Sequence, residues 1–398
     1  MEILAKRIRT ISPSQTLAIS AKAKAMKAEG EYVVNFGVGE PDFQTPAHIV
    51  EAGIEALRTG KTKYTPSSGI MELRKAICEK FARENALSYE PSQIIVSSGA
   101  KHSIFNVCYA LVDEGDEVII PSPYWLTYPE VVKTCGGVPV FVEGTKENKF
   151  KITAQDLEKA ITPKTKLMIF NSPCNPTGAV YSEEEVCALA AVCEKYGIYV
   201  LADEIYESLV YTDVKPFSMA RVSDAMYEHT ITVNGVSKTY AMTGWRIGYL
   251  AAPKAIAKAI DSFQSHATSN PCSIAQYATI KALGSPDACV EEMKEKFAQR
   301  RAAALERIQK MKRAYCVQPD GAFYIMLVVS GVFGKKLKDR TIANATDFAT
   351  ALLEEKKVAV VPGGPFGADD CVRLSYSLSM EDMMEGLERI DDFLEMLE

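Results

Sequence analysis

A chain of 398 residues is long for one compact core, and asks for two or three domains able to enclose a deep site. Charged residues make up 24%, apolar ones 47%, and the net charge of −6 is spread without any block of one sign, which argues against nucleic-acid or membrane-surface partners. No segment approaches the ~20 apolar residues of a bilayer span, and the opening MEILAKRIRT lacks an apolar signal core, so the expectation is a soluble, cytoplasmic protein.

From about Ser92 the chain alternates short β-rich runs with helical stretches. Strands are expected at Ile94 to Val96 and Val118 to Ile120, with a helix from Lys101 to Val112 between them, and again at Leu167 to Phe170. Ser182, followed by Glu183-Glu184-Glu185, supplies a cap and an acidic first turn to a helix reaching about Tyr196. Further strands are expected at Tyr199 to Ala202, Thr230 to Val233 and Ile247 to Leu250. This rhythm predicts an α/β fold with a mostly parallel sheet covered by helices on both faces. After about Ser285 a charged helix (Val290 to Arg313) leads to strands at Ala322 to Val329, Val358 to Val361 and Val372 to Tyr376. These read as a smaller α+β unit, packed closely because no linker-like tract precedes it. The ten cysteines contain no C-x-x-C pair and the four histidines no metal-ligand spacing. Reduced core thiols and no metal are expected.

In open α/β sheets, ligands bind beyond the carboxyl ends of the strands. Five of those ends carry polar or aromatic groups: Ser97-Ser98-Gly99-Ala100-Lys101, Ser122-Pro123-Tyr124-Trp125, Asn171 through Asn175 to Gly178, Asp203-Glu204-Ile205-Tyr206, and Asn234-Gly235-Val236-Ser237-Lys238. Together they imply one cleft with a phosphate cradle at a helix start, an aromatic plate, an amide, a carboxylate and a lysine.

The stretch from Gly235 to Gly248, GVSKTYAMTGWRIG, resembles the cofactor-attachment signature of class I pyridoxal-phosphate-dependent aminotransferases. With Gly39-Glu40-Pro41-Asp42, Ser122-Pro123-Tyr124-Trp125, Asn175-Pro176-Thr177-Gly178, Asp203-Glu204-Ile205-Tyr206 and Arg373-Leu374-Ser375, the similarity covers nearly the whole chain in the family's order. It is closest to the bacterial-type aspartate aminotransferase branch. The resemblance implies a fold type I transferase with a large domain over 46–285 and a discontinuous small domain over 1–45 and 286–398. It further implies a homodimer and ping-pong transfer of an amino group between an L-amino acid, aspartate or glutamate first, and a 2-oxo acid.

Residue by residue, the resemblance assigns Lys238 to the covalent link with pyridoxal 5′-phosphate and to proton transfer; the chemistry needs an amine that is reachable and partly unprotonated. Asp203 would hold the proton on the pyridine nitrogen, Tyr206 and Asn175 would bond the phenolic oxygen, and Trp125 would stack on the ring. Ser98, Gly99, Ala100, Ser237 and Arg246 would bind the phosphate, with Tyr64 serving the partner subunit's site. Arg373 would grip the α-carboxylate in a two-point fork, and Gly39 lets the backbone pass close to the substrate. Residues 261–280 contain no arginine, although some dicarboxylate-specific relatives place one there. Lys101 is therefore the leading partner for a distal carboxylate, ahead of Ser14, Thr16 and His266. The alternatives are an aminotransferase of prephenate, aromatic or broader specificity, a lyase of the same fold type, and a cofactor-binding regulator; the last is opposed by the complete catalytic set and the lack of a basic patch.

Overall fold

Runs of Val, Ile and Leu without polar alternation are shielded only when both faces of a strand are covered. In the computed structural model, which describes residues 3–12, 15–284 and 288–398, such runs build most of a seven-stranded sheet. Its strands are β1 (Ile94–Ser97), β2 (Glu117–Ser122), β3 (Val138–Glu143), β4 (Thr165–Asn171), β5 (Tyr199–Asp203), β6 (Thr230–Gly235) and β7 (Gly248–Ala251). The spatial order is β1-β7-β6-β5-β4-β2-β3. Neighbours run parallel except at β7, which is antiparallel to both β1 and β6. The carboxyl ends of β1, β2, β4, β5 and β6 therefore share one edge. β3 escapes a reading of the sequence because Pro139 interrupts its apolar run; an outer strand tolerates the missing N–H.

Helix α1 (Ala100–Leu111) begins directly after Gly99, whose φ is +92°. Helix α2 (Glu183–Tyr196) has the reciprocal cap expected of its sequence: Ser182 Oγ accepts from Glu185 N, and Glu185 Oε2 accepts from Ser182 N at 2.8 Å. It ends at Gly197, which takes the left-handed conformation with φ +66°. The charged helix α3 (Ala288–Gln309) stops short of the expected Arg313.

A second, antiparallel sheet joins β8 (Tyr315–Cys316), β9 (Tyr324–Val328), β10 (Val361–Pro362) and β11 (Cys371–Ser375) in the order β10-β11-β9-β8. Arg373 sits at its centre, opposite Met326 on one side and Val361 on the other. The N-terminal segment returns to this unit, since Val34 and Asn35 pair in parallel with Val358 and Ala359, and Ser375 N donates to Phe36 O at 2.9 Å. The two units meet through main chain: Asp320 N and Gly321 N both donate to Gly178 O at 2.8 Å, and Ala322 N donates to Leu209 O at 2.8 Å. One apolar cluster spans the join, carrying Ile205, Tyr206 and Leu209 beside Phe297, Phe323 and Tyr324. None of the ten cysteines forms a disulfide, and among the described residues no helix is long and apolar enough to cross a membrane.

Phe297 anchors that cluster: fully buried, it stacks on Phe323 at 5.3 Å and meets Phe43 edge-on at 5.3 Å. Truncating a buried aromatic of this kind removes about 3–5 kcal/mol. Phe297→Ala should lower the midpoint of urea unfolding by that equivalent, and a shift worth less than about 1 kcal/mol would show that the cluster repacks around the gap.

Candidate active site

The shared carboxyl edge of the large sheet opens into a cavity of about 410 Å³. Asn171 and Asp203 are register neighbours at the ends of β4 and β5, Lys238 follows three residues after β6, and Arg373 reaches in from β11. Apart from the weaker carboxylate candidates, every site residue expected from the sequence lines this cavity except Ser98, Gly99 and Tyr64.

Lys238 Nζ donates to Gly39 O at 2.6 Å. Burial brings its amine down to about 8; Glu40 opposes the shift, while the Arg373 and Arg246 charges reinforce it. Gly39 is held there because Ser377 Oγ donates to Glu40 O at 2.6 Å, and Arg300 grips Asp42 through two bonds of 2.7 and 2.8 Å. Tyr324 Oη lies so near that a Cβ at Gly39 would stand 3.2 Å from it.

Asp203, only 2% exposed, accepts from Tyr128 Oη at 2.7 Å and from Ile205 N at 3.3 Å. Burial raises its carboxyl to about 6, with the Tyr128 hydrogen bond, the Ile205 amide and the Lys238 charge pulling the other way. Burial also holds the Tyr206 phenol well above its ordinary range, helped by Tyr324, so its proton stays on and can be donated. Asn175 is fixed from both sides: its N–H donates to Asn171 Oδ1 at 2.9 Å, and its Oδ1 accepts from Arg373 Nη1 at 3.0 Å. That leaves the Asn175 amide nitrogen as a donor toward the cavity.

Arg373 also donates from Nη2 to Gly37 O at 3.2 Å, and its guanidinium lies between the rings of Tyr324 (4.5 Å) and Phe366 (4.9 Å). Its Nε is buried without a hydrogen-bond partner. Lys101 stands on the exposed rim, with Nζ 4.8 Å over the Trp125 ring; partial desolvation and the Arg246 charge lower its pKa. The edge of Trp125 meets Tyr128 at 5.5 Å, so the aromatic plate and the carboxylate share a support.

The helix start is arranged differently from the sequence-based expectation. Ser98 N–H donates to His102 Nδ1 at 3.1 Å and Gly99 N–H to Ser97 O at 2.8 Å. Ala100 and Lys101, the first two residues of α1, have no intrahelical acceptor for their amides, and the Ser237 hydroxyl in the cavity lining adds a further donor. Gly99 is required here by its φ and because a Cβ would collide with the Arg246 guanidinium. Arg246 itself is steered by the Thr243 carbonyl at 2.8 Å. Tyr64 is 90% exposed. Of the weaker carboxylate candidates, His266 is exposed and outside the cavity lining, whereas Ser14 and the side chain of Thr16 lie outside the described residues. Sequence reading missed Tyr128, Tyr324 and His102, each of which acts on an expected residue from a position no motif marks.

The donor set fits pyridoxal phosphate. An acidic group suits its ring nitrogen, donors suit its phenolic oxygen, a hydroxyl with a guanidinium and a helix start suit its phosphate, and a depressed amine suits its aldehyde. The orphaned Nε of Arg373 is a vacant donor for a carboxylate. The family described as aminotransferase class I and II matches residues 31–390. The chain is 50% identical over 395 residues to the aspartate aminotransferase of Geobacillus stearothermophilus, covering 98% of this chain and 99% of that one. It is 49% identical over 394 residues to the probable aspartate/prephenate aminotransferase of Aquifex aeolicus, covering 98% of each. The solved aspartate aminotransferase of Thermus thermophilus with maleate matches with a TM-score of 0.93 at 44% identity, over 100% of both chains. The chain belongs to the class I and II aminotransferase family.

With its amine near 8, Lys238 is about one-tenth unprotonated at pH 7 and mostly so above pH 9. Its capture of pyridoxal phosphate, trapped with borohydride and located by peptide mass mapping, should speed up through pH 8 and then level off. Attachment to another lysine, or a rise continuing past pH 10, would remove Lys238 from this role.

Proposed function

We propose that the protein is a pyridoxal-phosphate-dependent aspartate aminotransferase, moving an amino group between aspartate or glutamate and a 2-oxo acid such as 2-oxoglutarate. The observation that carries the reading is Lys238, an amine lowered to about 8 in the same cavity as buried Asp203 and Arg373. Asp203 would hold the ring nitrogen, Tyr206 and Asn175 the phenolic oxygen, and Trp125 the ring face. Ser98, Ser237, Arg246 and the α1 start at Ala100 would hold the phosphate, Gly99 giving Arg246 its room. When bound, the cofactor draws electrons from the substrate's α-carbon.

The chain's own residues do the rest. Arg373 orients the substrate through its α-carboxylate, since a planar fork fixes both position and tilt. Lys238 Nζ would take the proton from the substrate's α-carbon and return it at the cofactor's aldehyde carbon, a transfer that an amine poised near neutrality can make in both directions. A side chain at Gly39, whose carbonyl accepts from that nitrogen, would crowd Tyr324 Oη.

Aspartate is favoured by Lys101, a cation on the cavity rim, and by the relative solved with maleate, a dicarboxylate. A hydrogen bond to a charged group contributes about 1.5–3 kcal/mol, so Lys101→Ala should lower kcat/KM for aspartate about tenfold or more while alanine and phenylalanine change little. An equal fall for all donors would point to cofactor or fold damage. The name of the Aquifex aeolicus relative supports a second reading, prephenate as an additional acceptor, which the same panel extended to prephenate decides.

A homodimer with shared sites belongs to the same proposal. It is supported by Tyr64, 90% exposed, and by exposed apolar Ile3 and Leu4, which a second subunit would cover. The division into 46–285 and 1–45 with 286–398 is supported by the pairing of Val34 and Asn35 with Val358 and Ala359; its second boundary falls at 285–287, outside the described residues. Ten cysteines without a disulfide among them suit a reducing cytoplasm. Mixing Tyr64→Phe chains with Lys238→Ala chains should restore part of the activity that each lacks alone, by pairing intact half-sites. Mixed dimers that form and stay inactive would refute the shared site.

A further inference from the structure

Tyr206 and Tyr324 meet hydroxyl to hydroxyl, 2.9 Å apart, in the lining of the cavity. Both are buried, at 4% and 1% exposure, and their rings stand 83° to one another. No motif marks Tyr324, which lies within Phe323-Tyr324-Ile325-Met326, where an aromatic is ordinarily core. Its position follows from β9: Tyr324 faces Ser375 across the ladder, two residues from Arg373. Its ring therefore lies 4.5 Å from the Arg373 guanidinium while its hydroxyl reaches Tyr206.

Two paired phenols hold two protons. One is engaged between them, and the other is free to point elsewhere. Burial raises both phenols, Tyr206 well above its ordinary range; at Tyr324 the adjacent Arg373 charge and the Tyr206 hydrogen bond pull the other way, which leaves Tyr324 the more acidic and so the better donor of the two. The shared proton is then Tyr324's, and the free one is Tyr206's. We infer that Tyr324 is a positioning residue for the transamination: its hydroxyl donates to Tyr206 Oη, which directs the Tyr206 proton toward the cofactor's phenolic oxygen. This rests on the reading of the cavity given above.

The experiment loads the wild-type chain, Tyr324→Phe, Tyr206→Phe and the double variant with pyridoxal phosphate, and titrates the absorbance of the lysine-bound cofactor. Donation from Tyr206 stabilises negative charge on the phenolic oxygen, so weakening it raises the pH midpoint. Tyr324→Phe should raise the midpoint by about half a unit, as an indirect loss of one hydrogen bond implies. Tyr206→Phe should raise it further, and the double variant should coincide with Tyr206→Phe, because the deleted hydroxyl acts only through Tyr206. The kcat of Tyr324→Phe should fall about threefold with KM for aspartate nearly unchanged, since the ring beside Arg373 remains. An unchanged or lowered midpoint, or a double variant showing the sum of both shifts, overturns the role. Should Tyr324→Phe fail to fold, 3-fluorotyrosine at position 324, a stronger donor of nearly equal size, must lower the midpoint; no movement overturns the role equally. A wild-type chain that takes up no cofactor would overturn the reading of the whole cavity, and this role with it.

Discussion

Arg373 is 2% exposed, and among the described residues no carboxylate forms a salt bridge with it. Removing a charged group from water costs several kcal/mol unless other groups replace the lost hydration. Here the replacement is drawn from across the chain: Asn175 Oδ1, Gly37 O, and the faces of Tyr324 and Phe366. Holding these around one guanidinium requires the segment at Phe36 to lie beside β11 and the loop after β4 to meet the turn at Gly321, as their main-chain bonds do. The cavity between the two units is the geometric result. One donor of the guanidinium, Nε of Arg373, is left buried without a hydrogen-bond partner.

The same desolvation acts in opposite senses on the other two charged groups. Burial raises the Asp203 carboxyl to about 6 and lowers the Lys238 amine to about 8, and the attraction between them limits both shifts. An acid and a base each brought toward neutrality can hold and release protons at the working pH of a cell. Arg246, Arg373 and Lys101 add positive charge to a lining whose acidic members are Asp203 and Glu40. That balance favours ligands carrying phosphate and carboxylate groups.

Strand ends, the Ser182 cap and the attachment signature around Lys238 were legible because each depends on residues close in sequence. Apolar runs bounded by polar turns dictate buried strands, and a polar residue just past such a run has little choice but to face the shared edge of the sheet. What escaped depends on distant partners. Tyr324 meets Tyr206 across 118 residues and Tyr128 meets Asp203 across 75, and neither tyrosine differs locally from an ordinary core aromatic. The engagement of the Ser98 amide by His102 is local, yet it turns on a ring orientation that spacing does not specify.

Chemical identity at each position and the alternation of strands and helices are properties of the one-dimensional chain, since they follow from side-chain type and short-range periodicity, and the class of reaction was legible there through the resemblance carried by the motif around Lys238. Which amides remain free at the start of α1, which phenol donates to which, and whether a lysine is an ordinary cation or an amine near 8 were decided only on folding. Those outcomes depend on burial and on distances between groups far apart in sequence, and both exist only once the two sheets have closed around Arg373.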